Sequence, residues 1–277
     1  MSEASRQPGA ASPDLRPPAP AAAPVMSLRS VRKSFRVSGD QQRVALADVS
    51  FDVGLGEFVC VVGPSGAGKT TLLRCMAGLA APTSGEALFE GTQLRRVPDQ
   101  VGVVFQDYSR SLYPWLTVNR NIALPLKVRG VSREGRASRI EEVLGSVGLA
   151  EVGRHYPWQL SGGMQQRVAI ARALAYQPEL LLMDEPFASV DAQTRFELED
   201  LILRLHHEFR VTVIFVTHDI DEAIYLADRV VVLSGPPGEV NEVVEVGLPR
   251  PRDQITTKQD ERFARHREHI LGLVMKR

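Results

Sequence analysis

The chain contains 277 residues, and its 33 lysines and arginines balance 33 aspartates and glutamates, so its formal net charge is zero. A chain without basic excess is not expected to bind nucleic acid by charge, and no apolar run is long enough to cross a bilayer. The length suffices for one large domain with a full core. Cys60 and Cys75 lie in apolar segments and are expected to be small buried residues in a reducing compartment.

The first residues, 1–25, are rich in proline and alanine and are predicted to form a disordered tail, not a signal peptide. Residues 26–58 follow, with two segments of alternating apolar and polar residues separated by SGDQQ. Such alternation is typical of strands with one buried face. It predicts an antiparallel sheet that flanks a central sheet.

A phosphate-binding loop is predicted from the sequence GPSGAGKT, which lies between a strand-like run, FVCVVG, and a helical pattern. We expect Gly63, Gly66 and Gly68 to adopt positive φ, so that backbone N–H groups surround an anion at the start of a helix. Lys69 would reach the β and γ oxygens of a nucleotide, and the Thr70 hydroxyl would bind Mg²⁺. The alternative is a glycine turn that binds nothing, which the strand-to-helix context disfavours.

The middle of the chain, about 107–160, has a helical pattern that is clearest at 139–147. Gln106 precedes it, after a strand-like run, where a loop residue is common. Residues 111–118, SLYPWLTV, place apolar and aromatic side chains on what should be an exposed loop, which favours a partner surface. A helix start that faces the core accounts for the same pattern.

A second glycine-rich helix start lies in LSGGMQQR, at Ser161, Gly162 and Gly163. One phosphate loop needs only one anion cradle, so this second start requires its own explanation. Its helix offers free N–H groups and a positive dipole end to an anion. Ser161 is also a good helix cap, and both interpretations can hold together.

Two further apolar runs, LLLM and VTVIFVT, end in residues that can act on a phosphate: Asp184 and Glu185 after the first, His218 after the second. Both runs predict buried parallel strands, whose carboxyl ends bind ligands in open α/β sheets. We expect Asp184 to hold Mg²⁺, Glu185 to orient or deprotonate the attacking water, and His218 to donate a hydrogen bond to the γ-phosphate or that water. The alternatives are an acid pair at a helix start and an ordinary polar histidine.

The C-terminal part, 248–277, begins with the turn-forming sequence LPRPRD. Residues 258–275 then have the pattern of a charged amphipathic helix. We expect this helix to lie on the solvated surface.

Together these motifs resemble, in order and spacing, the ATP-binding cassette (ABC) ATPases over about 26–234. The resemblance implies an α/β P-loop NTPase fold: a mainly parallel central sheet, a flanking antiparallel β-subdomain and a helical subdomain at about 107–160, within an ATPase domain at 26–247. It implies ATP and Mg²⁺ as cofactors. It also implies that nucleotide lies between two cassettes packed head to tail, so that Ser161, Gly162 and Gly163 of one subunit contact the γ-phosphate held by the other.

Functional residues carry over from the family by position. The implied catalytic residues are Glu185, His218, Lys69 and Gln106, and the implied metal ligands are Thr70, Gln106 and Asp184. The implied nucleotide-binding residues are Phe35, Gly63, Pro64, Ser65, Gly66, Ala67, Gly68, Lys69, Thr70, Thr71, Ser161, Gly162 and Gly163. Phe35 would stack on adenine, where the family more often has tyrosine. Asp191 resembles the last residue of a loop that communicates across the dimer, and Met164 replaces the commoner glutamine of the signature.

A transport motor is the first of two functional hypotheses. PWLTVNRNIALPL, LSGGMQQR and LPRPRD are similar to the nitrate, sulfonate and taurine importer branch. That branch implies a second copy of the chain, a separate transmembrane permease and, indirectly, an external solute-binding protein as partners, with no nucleic acid. The location implied is peripheral, at the cytoplasmic face of the inner membrane. The substrate stays open, because selectivity resides in the permease and the binding protein.

A soluble cassette that acts in DNA repair or translation is the second hypothesis. Repair members carry long coiled-coil insertions between the phosphate loop and the signature, and translation members carry two cassettes. This sequence has neither feature. We therefore expect an importer subunit.

Overall fold

The structure, a computed structural model, describes residues 23–38, 41–106 and 111–275, and within them ten strands form one sheet. The strands are β1 (Met26–Ser38), β2 (Gln41–Val53), β3 (Phe58–Val62), β4 (Ser84–Phe89), β5 (Thr92–Gln93), β6 (Val101–Val104), β7 (Leu180–Asp184), β8 (Thr212–Val216), β9 (Arg229–Ser234) and β10 (Gly238–Glu245). Their order across the sheet is β5-β4-β1-β2-β10-β9-β3-β8-β7-β6.

The central strands are parallel: β3 pairs with β8 and β9, and β7 pairs with β6 and β8. Every residue of β3, β7 and β8 is buried, as the unbroken apolar runs predicted. Successive side chains of a strand point to opposite faces, so Phe58 and Cys60 join one hydrophobic core and Val59 and Val61 join another. The parallel sheet is thus covered on both faces.

The predicted antiparallel region is confirmed, since β1 pairs antiparallel with both β2 and β4. It is not a separate sheet, because β10 continues the order by pairing in parallel with β2 at Leu46 and Gly238. Val25, the last residue of the predicted tail, is buried, and its N–H donates to the Val53 carbonyl at 2.8 Å. Residues 1–22 of that tail lie outside the described residues.

Eight α-helices occur in the described residues. They are α1 (Lys69–Met76), α2 (Val118–Val128), α3 (Arg133–Ser146), α4 (Gly162–Leu174), α5 (Ala192–Phe209), α6 (Ile220–Leu226), α7 (Thr256–Gln259) and α8 (Glu261–Met275). Helices α2, α3 and α4 pack on one another. The amphipathic pattern at 139–147 falls in α3, where Val143 and Leu144 are buried. No helix among these is both long and apolar enough to cross a membrane.

The C-terminal segment forms two helices in place of the single helix that its pattern predicted. Asp260 has an extended backbone and separates α7 from α8. Phe263, Ile270 and Leu273 of α8 are buried within the larger of the two cores. The amphipathic surface helix predicted for this segment is therefore confirmed as α8, whose apolar stripe docks on the domain while the opposite face meets water.

Both cysteines are buried free thiols, as predicted. Burial raises the pKa of the Cys60 thiol and that of the Cys75 thiol. Each therefore behaves as a small apolar residue and not as a nucleophile.

Candidate nucleotide site at the strand ends

Three loops converge at the carboxyl edge of the parallel strands. The phosphate loop follows β3. Asp184 is the last residue of β7 and Glu185 comes directly after it, and His218 lies shortly after the end of β8. These strands are neighbours that run in the same direction, so their ends meet at one edge. The predicted strand-end residues therefore lie together although they are far apart in sequence.

The phosphate loop has a left-handed backbone at Gly66 and Gly68, with φ of 83° and 80°. Gly63 does not adopt positive φ, so that part of the prediction was wrong. Its constraint is space, because a Cβ there would lie 2.8 Å from the Leu233 carbonyl oxygen. Gly68 is the N-cap of α1, and no side chain caps this helix. The first N–H groups of α1 therefore remain available to an anion.

The Lys69 side chain is held at the centre of this loop. Its ammonium donates to the Gly63 carbonyl at 3.0 Å and lies 3.9 Å from the nearer Glu185 carboxylate oxygen. Burial lowers the pKa of Lys69, against the opposing effect of the nearby Glu185 and Asp184 charges. A buried ammonium that still has donor capacity is suited to the β and γ oxygens of a nucleotide.

The two adjacent acids face different tasks because the backbone turns between them. Asp184 ends β7, is 4% exposed and accepts a hydrogen bond from the Thr70 hydroxyl at 3.3 Å. Glu185 has a φ of 41°, in the left-handed region, which costs a non-glycine residue about 1–2 kcal/mol. This turn redirects the Glu185 side chain from the strand path toward Lys69.

Oxygen donors from Asp184 and Thr70 fit a magnesium ion, which prefers oxygen ligands and few of them from protein. Burial raises the pKa of Asp184, and the neighbouring Glu185 charge adds to that effect. A divalent cation beside Asp184 would offset this cost of keeping the carboxylate charged. The residues present therefore suit the predicted metal.

His218 lies against the second acid, with its Nδ1 3.1 Å from a Glu185 carboxylate oxygen. Its side chain is 61% exposed and can reach beyond that acid toward a bound molecule. Glu185 therefore contacts Lys69 on one side and His218 on the other. An ammonium group, a carboxylate and an imidazole therefore lie next to one another.

A cleft of about 730 Å³ runs from these groups to the β1–β2 hairpin. Its lining includes Phe35 at one end and Lys69, Thr70 and Glu185 at the other. The Phe35 ring is 45% exposed, and the Lys33 ammonium lies 5.4 Å from its centroid. An exposed ring at the far end of a cleft is placed to stack on a nucleobase.

Two arginines that no sequence motif marked, Arg36 and Arg43, also line this cleft. Arg43 is the cross-strand partner of Phe35, and Arg36 is the next residue along β1. The hairpin register decides that both lie beside the cleft. The sequence offered one sign of this position, because both arginines lie near Phe35 in the two segments with alternating apolar and polar residues.

The signature residues do not line the cleft of their own chain. Ser161 caps α4 by accepting the Met164 N–H at 3.3 Å, as the capping interpretation predicted. A Cβ on Gly163 would lie 2.5 Å from the Thr194 methyl carbon, so glycine is also needed for α4 to pack on α5. Gln106 is exposed beyond β6 and likewise does not line the cleft.

Comparison with known families shows a match to the family described as ABC transporter over residues 38–188. Among curated proteins, the chain is 47% identical to the aliphatic sulfonates import ATP-binding protein SsuB 2 of Burkholderia cenocepacia, over 88% of this chain and 86% of that protein. It is 44% identical to the nitrate import ATP-binding protein NrtD of Synechococcus elongatus, over 84% of this chain and 86% of that protein.

Solved structures with similar folds include two dimeric forms of the bacterial ABC transporter cassette MJ0796, one of them a post-hydrolysis state bound to ADP and phosphate. The sequence identity is 36% in both cases, over 80% of this chain and 98% of the other. The TM-scores are 0.71 and 0.70. The predicted fold class is thus confirmed. The chain belongs to the ABC transporter family, as an ATP-binding cassette with ATPase activity.

Proposed function

We propose that this chain is the motor subunit of an importer for a small anionic solute, of the nitrate or sulfonate kind, and that it hydrolyses ATP as a head-to-tail dimer. The observation that carries the catalytic part is the convergence of Lys69, Glu185 and His218 beside an uncapped helix start. The relatives named as sulfonate and nitrate import proteins support the class of solute.

In this proposal each protomer holds the triphosphate in its own cleft. Phe35 stacks on the base, the residues of the phosphate loop surround the phosphates, and Lys69 binds the β and γ oxygens. Thr70 and Asp184, with Gln106, would hold Mg²⁺, which would supply positive charge to the phosphates.

Glu185 takes a proton from the water that attacks the γ-phosphorus, while the bond to the oxygen bridging the β- and γ-phosphates breaks and that oxygen leaves with ADP. His218 holds the water or the γ-phosphate from the other side of Glu185. The N–H groups at Ser161, Gly162 and Gly163 of the partner subunit complete the enclosure and stabilise the transferring charge. These three residues do not line the cleft of their own chain, which supports a role at the cleft of the second copy.

A Glu185→Gln variant tests the catalytic proposal. We expect turnover to be abolished while ATP binding persists, because the amide keeps the shape of the side chain but cannot accept the proton. Light scattering should then show an ATP-dependent dimer. Glu86→Gln, on the exposed edge of β4, is the matched control and should hydrolyse ATP normally. Continued hydrolysis by Glu185→Gln would contradict the assigned role.

The permease is proposed to dock at a groove of about 830 Å³, whose lining includes Phe105, Tyr113, Val128 and Arg129. Tyr113 lies beside Trp115, with ring centroids 5.5 Å apart, and the Trp115 ring is 68% exposed. Exposed aromatic rings beside a groove are common in binding surfaces. The sequence left open whether residues 111–118 form a partner surface or face the core. Both descriptions apply in part, because Leu112 and Val118 are buried in the core while the Trp115 ring is exposed.

Removal of the exposed ring by Trp115→Ala tests this docking surface. We expect the variant to lose co-purification with the membrane permease while the isolated chain still binds ATP. Trp158→Ala is the matched control, because Trp158 is 70% exposed but stacks on Tyr156, which does not line the groove, whereas Trp115 lies beside the groove residue Tyr113. Recovery of DNA or ribosomes in place of a permease would contradict the transport proposal. A small-anion-binding protein recovered with the complex would identify the solute and support a place for the chain at the inner face of the membrane.

A further inference from the structure

A cavity of about 510 Å³ lies between one face of α5 and the turn-forming sequence LPRPRD. Neither the proposed reaction nor the proposed permease groove uses this cavity. On the α5 side its lining residues are Asp200, Leu203, Arg204 and His207. Positions i, i+3, i+4 and i+7 share one face of an α-helix, so these four side chains form one wall.

The other wall of the cavity is formed by Arg250, Pro251 and Arg252 of LPRPRD. Three guanidinium groups and the imidazole of His207 therefore surround one space. Asp200 is the only carboxylate among these lining residues, so positive charge is in excess there. A cleft with an excess of one sign of charge attracts ions of the opposite sign.

The two carboxylates near these arginines already have partners. Asp200 accepts a hydrogen bond from the Tyr225 hydroxyl at 2.6 Å. Asp228 accepts from the Arg250 guanidinium at 2.7 Å with one carboxylate oxygen and from the Phe58 N–H at 2.9 Å with the other. Asp228 therefore balances the charge of Arg250, and neither carboxylate makes a hydrogen bond to another lining arginine.

Arg252 is a buried charge without an ion pair in the described residues. Its Nη2 donates to the Ala227 carbonyl at 3.0 Å, at the C-terminal end of α6. Its Nε and Nη1 are buried, and neither has a hydrogen-bond partner in the described part of the chain. Burial, with the Arg250 charge acting in the same direction, lowers the pKa of Arg252 to about 10. The group is still charged at neutral pH, and a buried charge without a counterion is costly.

The α5 wall supplies groups that can contact a bound molecule directly. Arg204 and His207 are exposed. Arg204 donates to the Ser146 carbonyl at 2.9 Å with Nη2, so the rest of its guanidinium can donate to a ligand. Leu203 and Pro251 add apolar surface to the same space. The cavity thus offers donors for oxygen atoms beside a wall that suits a short alkyl group.

We propose that this cavity binds a small organic oxyanion, in which a sulfonate, carboxylate or phosphate group carries a short apolar part. The oxyanion accepts hydrogen bonds from Arg204 and offsets the charge of Arg252, because guanidinium groups match the geometry of such head groups. The apolar part contacts Leu203 and Pro251. The bound anion links α5 to the C-terminal segment. This inference is independent of the proposed transport role.

Isothermal titration calorimetry of the full-length chain with butanesulfonate tests the site. The nucleotide cleft is kept filled with a non-hydrolysable ATP analogue, and chloride keeps the ionic strength constant. We expect saturable binding at one site per chain. Methanesulfonate has the same head group with a shorter alkyl part and should bind at least about fivefold more weakly. Butanol lacks the charge and should not bind.

Arg252→Met and Arg204→Gln should each weaken butanesulfonate binding about tenfold or more, because each removes one of the positive charges around the anion. Arg133→Gln is the matched control and should bind as wild type, because Arg133 is exposed at the start of α3 and does not line the cavity. Lys69→Ala, titrated without nucleotide, should also bind as wild type, since it changes only the nucleotide cleft.

Arg204 is exposed, so Arg204→Gln provides the test should Arg252→Met fail to fold. The absence of saturable butanesulfonate binding to the wild-type chain overturns the inference. Wild-type affinity in either folded variant, Arg252→Met or Arg204→Gln, also overturns it, as does loss of binding in Lys69→Ala. Equal affinity for methanesulfonate and butanesulfonate overturns the contact assigned to Leu203 and Pro251.

Discussion

The start of α1 and the start of α4 look alike in sequence and differ in structure. Gly68 precedes α1, Gly162 and Gly163 open α4, and both helix starts carry the positive end of a helix dipole. Gly68 leaves α1 without a side-chain cap, and Lys69 and Glu185 stand in the same cleft. Ser161 caps α4 with its own hydroxyl, and this helix start lies outside that cleft.

A glycine-rich helix start becomes a phosphate site only when charged groups and an open cleft lie beside it. The α1 start has a cation, an acid pair and a cleft within its own chain. The α4 start has N–H groups but lies apart from those charges, so the proposed function assigns it the phosphate of another molecule. A second copy of the cassette, as in the dimeric MJ0796 structures, is the simplest source.

The largest expected effect comes from Gly68→Ala. A Cβ there would lie 2.7 Å from the Ala45 carbonyl oxygen and 2.8 Å from a Leu46 methyl carbon, at a φ of 80°. We expect ATP binding to be lost and hydrolysis to fall by about 10² or more. Gly91→Ala is the control, because it has a φ of 73° and open space around its Cβ. Phosphate release measures hydrolysis. Equal rates for Gly68→Ala and wild type would show that the backbone shape of the phosphate loop is not required.

Mixing two inactive variants tests whether the start of α4 contacts the nucleotide that the partner subunit holds. Lys69→Ala disables the cradle of one protomer, and Ser161→Glu places a negative charge at the signature of the other. A mixed dimer retains one intact site, so an equal mixture should recover about a quarter of wild-type activity if subunits pair at random. Each variant alone should stay inactive. A mixture that also stays inactive would argue against a site shared between subunits.

The packing role of Gly163 can be separated from its proposed phosphate role. Gly163→Ala should lower stability by about 1–3 kcal/mol, because the new Cβ meets the Thr194 methyl carbon at 2.5 Å. Adding Thr194→Ser removes that methyl and keeps the hydroxyl that donates to Asp191. Urea denaturation should show recovered stability in the double variant, while hydrolysis should remain reduced. Full recovery of hydrolysis would mean that Gly163 serves packing alone.

The smallest expected effect is that of the Ser161 cap on stability. Ser161→Ala should destabilise the chain by about 1 kcal/mol, and Ser161→Gly by a few tenths, because glycine is tolerated at an N-cap. Thermal unfolding of the isolated chain measures this difference. An equal loss in both variants would show that the hydroxyl bond to Met164 does not contribute to the cap.

Much of the fold could be predicted because its signals are local. Unbroken apolar runs marked β3, β7 and β8, and alternation marked β1 and β2. Side-chain direction along a strand follows from backbone geometry, so these patterns can be recognised in one segment without knowing which strands lie beside it. The docking of α8 was not predicted, because the surface that buries Phe263 belongs to other elements.

The element types, the phosphate loop and the residues at each strand end follow from the amino-acid sequence, since glycine and apolar spacing act over a few positions. What those residues touch depends on the packing of the whole chain. Thr70 and Asp184 are 114 positions apart, and only the parallel register joins them. The lack of space at Gly63 and the turn at Glu185 arise in the same way, because they depend on contacts with distant strands that no local pattern records.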